Sequence, residues 1–511
     1  MFECMFESEF AGVDDAAVVS AIADLTRAEA ATGARRLAAI AELKRRHVLE
    51  DDERVRWACD WWDCTAAEVG AAMNISARKA SGQMRTAVAL RDHLPAVAAM
   101  FYRGEVSARV VGAITWRTQF ITDDAIWAVI DREIAARAGR WGPLAEDKLT
   151  CAVDALVLEF DPSALIVSKT MARSCDFVVG DREDEDGTTS VWGRLKATDA
   201  AVLKKTIAAM VATVCPNDPR SAGERRADAI GAWTQGNDHL PCLCDSPNCE
   251  ARAAQPVPKS SVVVNVYTDQ DTLDGLKGIA PQTPAPTPEA PVPSTPEPST
   301  EAPEAPAPTP AAPSKPASSG TALLSGTEVM PTPLLAELLR NGAKLQPLCT
   351  PAAEPEPHYR PSAKLARFVR GRDLTCRFPG CTAPAQFCDI DHVIPYPLGA
   401  THASNLACLC RKHHLLKTFW TGDWELALRP DGVAVWTSPT GHTYTTHPGS
   451  RSYFPDWDTN TGDLPPPPQP VTFSSDRGVM MPQRRRTRAQ DSAERIKAER
   501  EHNNSPPPPP F

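Results

Sequence analysis

Residues 281–320 read PQTPAPTPEAPVPSTPEPSTEAPEAPAPTPAAPSKPASSG, and neither helix nor sheet can be built from them. Proline removes a backbone donor and fixes φ, so this density favours an extended, semi-rigid chain. The stretch reads as a spacer ahead of a proline-rich ligand for a partner. It divides a 511-residue chain that is long enough for two or more domains. Before it, residues 1–280 are expected to form a mainly helical domain. After it, ALLSGTEVMPTPLLAELLRNGAKLQPL (322–348) has a strand-turn-helix flavour and is expected to pair with the β-branched run SSVVVNVYTD (260–269). Residues 321–350 would then continue the first domain, with 281–320 as a linker or an insertion in it. A compact second domain is expected over 360–450. The Pro/Arg-rich tail 460–511 is expected to lack order, and its RRRTR (484–488) to be solvated or to touch phosphate.

The first part carries helical periodicity. RRLAAIAELKRR (35–46) repeats apolar residues at helical spacing, and Ser76 is a natural cap for a helix ending near His93, before Pro95. Ser107 opens another apolar face in the same way. DDAIWAVIDREIAARA, LAEDKLTCAVDALVLEF and KATDAAVLKKTIAAMVATV also read as helices. CDFVVGDREDEDGTTSVWGRLKA (175–197) reads as a hairpin with an acidic turn. The fold class is therefore α+β.

The N-terminus, MFECMFESEFAG, is acidic and has no basic-then-apolar pattern, so no signal peptide is expected. No run of 18 apolar residues suggests a membrane span. Fifteen cysteines in so long a chain point to a reducing, cytoplasmic setting where thiols stay free or bind metal. The net charge of −10 does not itself suggest nucleic acid. Charge is uneven, however: from Arg360 to Trp420, nine lysines and arginines face three acids.

That basic segment holds the chemistry. CRFPGC puts Cys376 and Cys381 around a Pro-Gly turn, and CRKH separates Cys410 and His413 by two residues. Two knuckle-like pairs suit a tetrahedral structural zinc, a staple that a small domain needs. Cys388 and Cys408 lack a partner at knuckle spacing and read as core thiols. In AQFCDIDHVIP, Asp391 and His392 are adjacent on a strand and face opposite sides. One could hold a hard cation while the other meets substrate, and a neutral His392 suits a general base. The bland alternative is surface charge. On the following short helix, His413 and His414 can serve different metals, and Lys417 shares the face of His414 and could hold phosphate. Arg372, Arg377, Arg411 and Lys412 are further candidate contacts to a nucleic-acid backbone. LPCLCDSPNCE (240–250) adds Cys242, Cys244 and Cys249, three thiols that His239 could complete as a fourth ligand.

Taken together, the DH…N…H pattern formed by His392, Asn405 and His414 resembles the HNH endonuclease family. The resemblance implies a ββα-metal, treble-clef-like fold stapled by zinc at Cys376, Cys381, Cys410 and His413. It implies that Asp391 and His414 bind a catalytic divalent cation such as Mg²⁺ or Mn²⁺. It implies that His392 deprotonates water and that Asn405 orders the loop between the strands. Nucleic acid is then the partner, with DNA ahead of RNA by the resemblance alone. Members commonly carry Gly-Gly after the proline and an acid before the asparagine; here Gly399-Ala400 and Ser404-Asn405 stand there. In the first part, WWDCTAAEVGAAMNIS, a helix ending in LP and GEVSARVVGAITWRT resemble the DUF222 domain, which is joined to HNH modules in actinobacterial proteins such as the mycobacterial 13E12 repeat family. The rivals are a nucleic-acid-binding zinc module without turnover and a helical scaffold whose N-terminal domain binds a protein partner.

Overall fold

A computed structural model describes residues 10–48, 52–166, 176–180, 191–195, 197–253, 265–277, 322–324, 328–340, 343–420, 422–466 and 480–504. The chain divides into two compact units, Met1–Ser168 with Pro347–Phe511, and Lys169–Gln346. The proline tract lies outside the described residues.

The first unit begins with α1 (Asp15–His47), α2 (Trp61–Met73), α3 (Ala77–Asp92), α4 (Pro95–Tyr102), α5 (Ala108–Arg117), α6 (Asp124–Ala138) and α7 (Glu146–Phe160). Asp14, Asp60, Ser76, Ser107 and Asp123 each accept a first-turn amide, which is why the helices start there. α4 has no such cap. It opens on Pro95, and the buried Asp131 of α6 accepts from the amides of Ala96 (2.8 Å) and Val97 (3.1 Å) instead. Leu37, Met84, Phe101, Ile114, Ile130 and Val153 meet in one core.

In the second unit, β1 (Asp176–Val179) and β2 (Val191–Arg194) pair antiparallel, with Val179 opposite Val191. The acidic turn expected between them lies outside the described residues. α8 (Ala197–Val211), α9 (Ala222–Thr234) and the short α10 (Glu250–Ala253) follow. Next come β3 (Val266–Thr268), α11 (Gln270–Lys277), β4 (Ala322–Leu324), β5 (Glu328–Met330) and α12 (Thr332–Arg340). The three strands make an antiparallel sheet in the order β3-β4-β5, with Val266 opposite Leu324. The proline tract therefore interrupts a sheet between two hydrogen-bonded strands.

The chain then returns to the first unit with α13 (Ala363–Asp373), β6 (Asp389–His392), β7 (Leu406–Leu409) and α14 (Arg411–Phe419). β8 (Glu425–Leu428), β9 (Ala434–Thr437) and β10 (Thr443–Thr446) form a second three-stranded antiparallel sheet. This region shares a core with α2. Cys64, Ala67 and Ala71 are buried with Phe368, Leu416, Trp420, Trp424 and Trp436. Trp61 packs edge-on against Trp420 with centroids 4.5 Å apart, and the Trp420 indole donates to the Cys59 carbonyl at 3.0 Å. Residues 1–168 thus pack with the C-terminal region, whereas the sequence reading grouped them with 169–280. Three tryptophans over so few residues need apolar cover, and the small side chains of α2 supply it.

The tail also departs from expectation. Residues 480–504 are ordered and end in α15 (Arg488–Asn503). Ala58 donates to the Pro482 carbonyl (2.7 Å) and Arg484 to the Arg56 carbonyl (2.6 Å). Arg484 and Arg488 each pair with both Asp60 and Asp63, at 2.9–3.2 Å. Burial alone would raise the Asp63 carboxyl. Lys412, Arg488 and Arg484 outweigh it and hold the carboxyl below its usual value. The basic run is thus not merely solvated: buried carboxylates without counter-charges would be costly. Arg484→Ala combined with Arg488→Ala is expected to destabilise the unit by about 3 kcal/mol, seen as a lower urea midpoint. An unchanged midpoint would contradict this role. Among the described residues no helix is long and apolar enough to cross a membrane.

Candidate functional site

The first cluster is built by two turns. After α13 the chain makes the CRFPGC knuckle, closed by the Cys381 amide donating to Phe378 O at 3.1 Å. Gly380 has φ +69°, and a Cβ there would lie 2.4 Å from the Ile75 carbonyl oxygen, so glycine alone fits. The second pair stands at the start of α14, with Cys410 as its N-cap residue and His413 in the first turn. His413 Nδ1 lies 3.4 Å from Cys376 Sγ and 3.3 Å from Cys410 Sγ, and Cys381 Sγ is 4.0 Å from Cys410 Sγ. All four ligand atoms are within 4.8 Å of one another. A zinc ion with bonds of about 2.0–2.3 Å in a tetrahedron sets neighbouring ligand atoms about 3.5–3.8 Å apart, so the cluster has the right size. The His413 ring is fixed by stacking on Phe378, 3.9 Å between centroids. Hydrogen bonds with Cys376 and Cys381 draw the Cys410 thiol below its ordinary range, while Cys376 and Cys410, with burial, push the Cys381 thiol up. Cys388 and Cys408 are buried in the shared core, as expected of core thiols.

The second group is set by the β6–β7 pair. Asp389 and Asp391 are two residues apart and share one strand face, and α14 lays His414 and Lys417 against it. His414 Nδ1 lies 2.8 Å from Asp389 Oδ2, and His414 Nε2 lies 3.3 Å from Asp391 Oδ1. Cis ligands on an octahedral ion with bonds of about 2.1 Å would stand about 3 Å apart, so Asp391 Oδ1 and His414 Nε2 fit a hard cation. Lys417 Nζ donates to Asp391 Oδ2 at 2.7 Å and to the His392 carbonyl at 2.5 Å. Burial would raise the Asp391 carboxyl, but His414 and Lys417 hold it below its usual value. The hydrogen bond to Asp391 raises the His414 imidazole, against burial and with help from Asp389.

His392 turns away from that face and is 4% exposed. Its Nε2 is 2.9 Å from Thr401 Oγ1, whose single proton goes to the His358 carbonyl at 2.6 Å. The hydroxyl must therefore accept from His392 Nε2–H, which leaves the lone pair on Nδ1. Burial lowers the imidazole below its ordinary value, so it is neutral at pH 7. Tyr359 lies nearly parallel over the ring at 5.2 Å. Asn405 ties the intervening loop. It accepts from Ile394 N (2.8 Å) and donates to Ile394 O (2.9 Å) and Ala400 O (3.0 Å). A Cβ on Gly399 would meet Asn405 Nδ2 and Ile394 O, each at 2.4 Å, so a first glycine is needed there. Ala400, which follows it, is buried. Asn405→Ala is expected to cost about 2–4 kcal/mol, because three backbone groups lose their partner. A thermal midpoint equal to that of the native chain would contradict it. His402, unassigned from sequence, accepts from the Ser404 amide at 3.2 Å and caps the turn before β7.

Two of the five proposed phosphate contacts are ruled out. Arg372 is 0% exposed and donates to Asp373, Ala403 O and Leu406 O. Arg377 is 2% exposed and bonds Asp373 and Thr446 O. Both guanidiniums tie the region internally, because a buried carboxylate and open carbonyls sit beside them. Lys412 is paired with Asp63 at 2.6 Å. Lys417 is nearly buried beside Asp391, and Arg411 remains largely exposed with a 3.3 Å pair to Asp389. Sequence reasoning missed Asp389, Thr401 and Tyr359. The alternation D-I-D was the available signal for Asp389.

Comparison with known proteins finds relatives along almost the whole chain. The uncharacterized protein Rv3776 of Mycobacterium tuberculosis is 51% identical over 98% of this chain and 93% of its own length. The uncharacterized protein Rv2100 of the same organism is 50% identical over 96% of this chain and 88% of its own length. A third M. tuberculosis protein, the uncharacterized protein in the est 3′ region, is 46% identical over 72% of this chain and its entire length. No solved structure matches. The family model described as "Domain of unknown function (DUF222)" matches residues 24–290, so it stops short of the Cys376 cluster. It nevertheless covers over half the chain, and the chain therefore belongs to the DUF222 family.

Proposed function

We propose that this chain is a metal-dependent endonuclease of the HNH type, with residues 360–450 as its nuclease domain. The observation that carries this reading is the convergence of Asp391 Oδ1 and His414 Nε2 at 3.3 Å, with His392 following Asp391 on the same strand. The antiparallel β6–β7 pair followed by α14 supports a ββα-metal module, and the Cys376, Cys381, Cys410 and His413 cluster supports a structural zinc. A divalent cation held by Asp391 and His414 would neutralise charge on the scissile phosphate and its leaving oxygen. His392 Nδ1 takes a proton from water, whose oxygen bonds phosphorus as the ester bond to the leaving oxygen breaks. Asp389 orients His414, Thr401 orients His392, and Asn405 holds the loop that joins the two strands. Arg411, exposed at the rim, is the remaining cation suited to the nucleic-acid backbone. DNA is preferred over RNA through the family resemblance, and the helical region is left for a partner or for specificity.

The second reading, a nucleic-acid-binding zinc module without turnover, is favoured by one observation. Tyr359 covers His392. Incubation of the full chain with supercoiled plasmid and single-stranded DNA separates the two. With Mg²⁺ or Mn²⁺ the first reading expects strand cleavage that chelator abolishes. Zinc-loaded protein that binds DNA but leaves it intact under both metals would favour the second.

A further inference from the structure

Cysteine 215 stands alone in sequence, just past α8, yet the fold brings it to the LPCLC segment. Its Sγ lies 3.4 Å from Cys242 Sγ. The sulfur atoms of Cys215, Cys242, Cys244 and Cys249 are all within 4.8 Å of one another. His239, the fourth partner suggested by sequence, instead faces Asp238 at 3.0 Å. We propose that these four cysteines form a second, tetrathiolate zinc site in the second unit.

Four observations carry this. The first is size: thiolates about 2.3 Å from a tetrahedral zinc stand about 3.8 Å apart, and a 3.4 Å separation is far too long for a disulfide of about 2.05 Å. The second is chemistry: four sulfurs with no carboxylate among them select a soft or borderline ion over Mg²⁺ or Ca²⁺. The third is support around the ligands. Asp218 is buried and accepts from Leu243 N at 2.9 Å, the residue between Cys242 and Cys244. It also binds Arg220 at 2.7 Å, and Arg220 donates to Pro241 O at 2.6 Å. Leu240 N donates to Thr213 Oγ1 at 3.1 Å, and Cys242 N to Ala251 O at 3.1 Å. The two loops that supply the thiols are thus stitched together by hydrogen bonds, as ligand loops of a metal site are. The fourth is need: among the described residues the adjoining core fully buries Met210, Ala229 and Leu240, with Ile207, Val211, Val214 and Ala232 partly buried against them, a small apolar surface to hold α8 and α9. The inference does not depend on the nuclease reading.

Zinc per chain, measured on the full-length protein purified under reducing conditions, tests it. The native chain is expected to hold two zinc ions, Cys242→Ser one, and Cys376→Ser one. X-ray absorption at the zinc edge of Cys376→Ser protein should then read sulfur ligands only, a result that does not depend on Cys242→Ser folding. A Cys376→Ser protein without zinc would overturn the proposal, as would a zinc content indifferent to Cys242→Ser. A Cys215–Cys242 disulfide in the native, reduced preparation would overturn it too. A single zinc that follows Cys242 and ignores Cys376 would support this site and contradict the C-terminal one.

Discussion

If the Cys376 cluster holds the proposed structural zinc, Cys376→Ser is expected to release it and to destabilise the first unit by on the order of 5 kcal/mol, since structural zinc contributes about 10–16 kcal/mol in small domains. The four ligands join three parts of the chain: the knuckle after α13, the end of β7 and the first turn of α14. Loss of the ion would free α14 from the knuckle, and with it His414 and Lys417. Trp420, Trp424 and Trp436 are buried in the adjoining core, so their fluorescence reports the change directly. The expected result is a lower urea midpoint together with lost zinc. Cys388→Ser is the discriminating control, because Cys388 is a nearby buried thiol outside the cluster. Zinc lost from Cys388→Ser but retained by Cys376→Ser would show that the ligand set is wrong.

The second large effect falls on turnover. Asp391→Asn is expected to slow Mg²⁺-dependent cleavage by about 10²–10³-fold, the scale on which removing electrostatic stabilisation acts. The amide keeps the shape of the side chain while removing the charge opposite His414 and Lys417. Half-saturating Mg²⁺ should rise as well. Asp389→Asn should act more mildly, about 10–100-fold, since under the proposed mechanism that carboxylate, bonded to His414 Nδ1, would act through His414 rather than at the ion. A rate unchanged in Asp391→Asn would remove the cation site from the mechanism. Equal losses for the two variants would mean that Asp389 is itself a ligand.

Much of this architecture could be read from local signals. Ser76 and Ser107 announced their helices because a hydroxyl cap acts over three residues. The strand at 266–268 was likewise visible in a β-branched run, and its partner across the proline tract in the strand-turn-helix flavour of 322–348. Cysteine spacing brought out the Cys376 and Cys410 pairs. What escaped depends on distance along the chain. Arg372 and Arg377 look like surface charge until Asp373 and the carbonyls of 403, 406 and 446 are folded around them. Cys215 joins its thiols only after a helix of intervening chain has turned back. Arg484 and Arg488 read as a solvated tail because Asp60 and Asp63, their partners, lie over 400 residues earlier. Asp389 was open to detection through strand alternation. Its neighbour Asp391 drew attention because it abuts the histidine.

The most direct test compares the native chain with His392→Ala, measuring plasmid cleavage in Mg²⁺ and zinc content on the same preparations. His392 contributes no ligand to the Cys376 cluster, so zinc should be retained in full. Cleavage should fall by about 10²–10⁴-fold, the range for removal of a general base. Equal cleavage by the two proteins, with zinc intact in both, would contradict the assignment of His392 as the base.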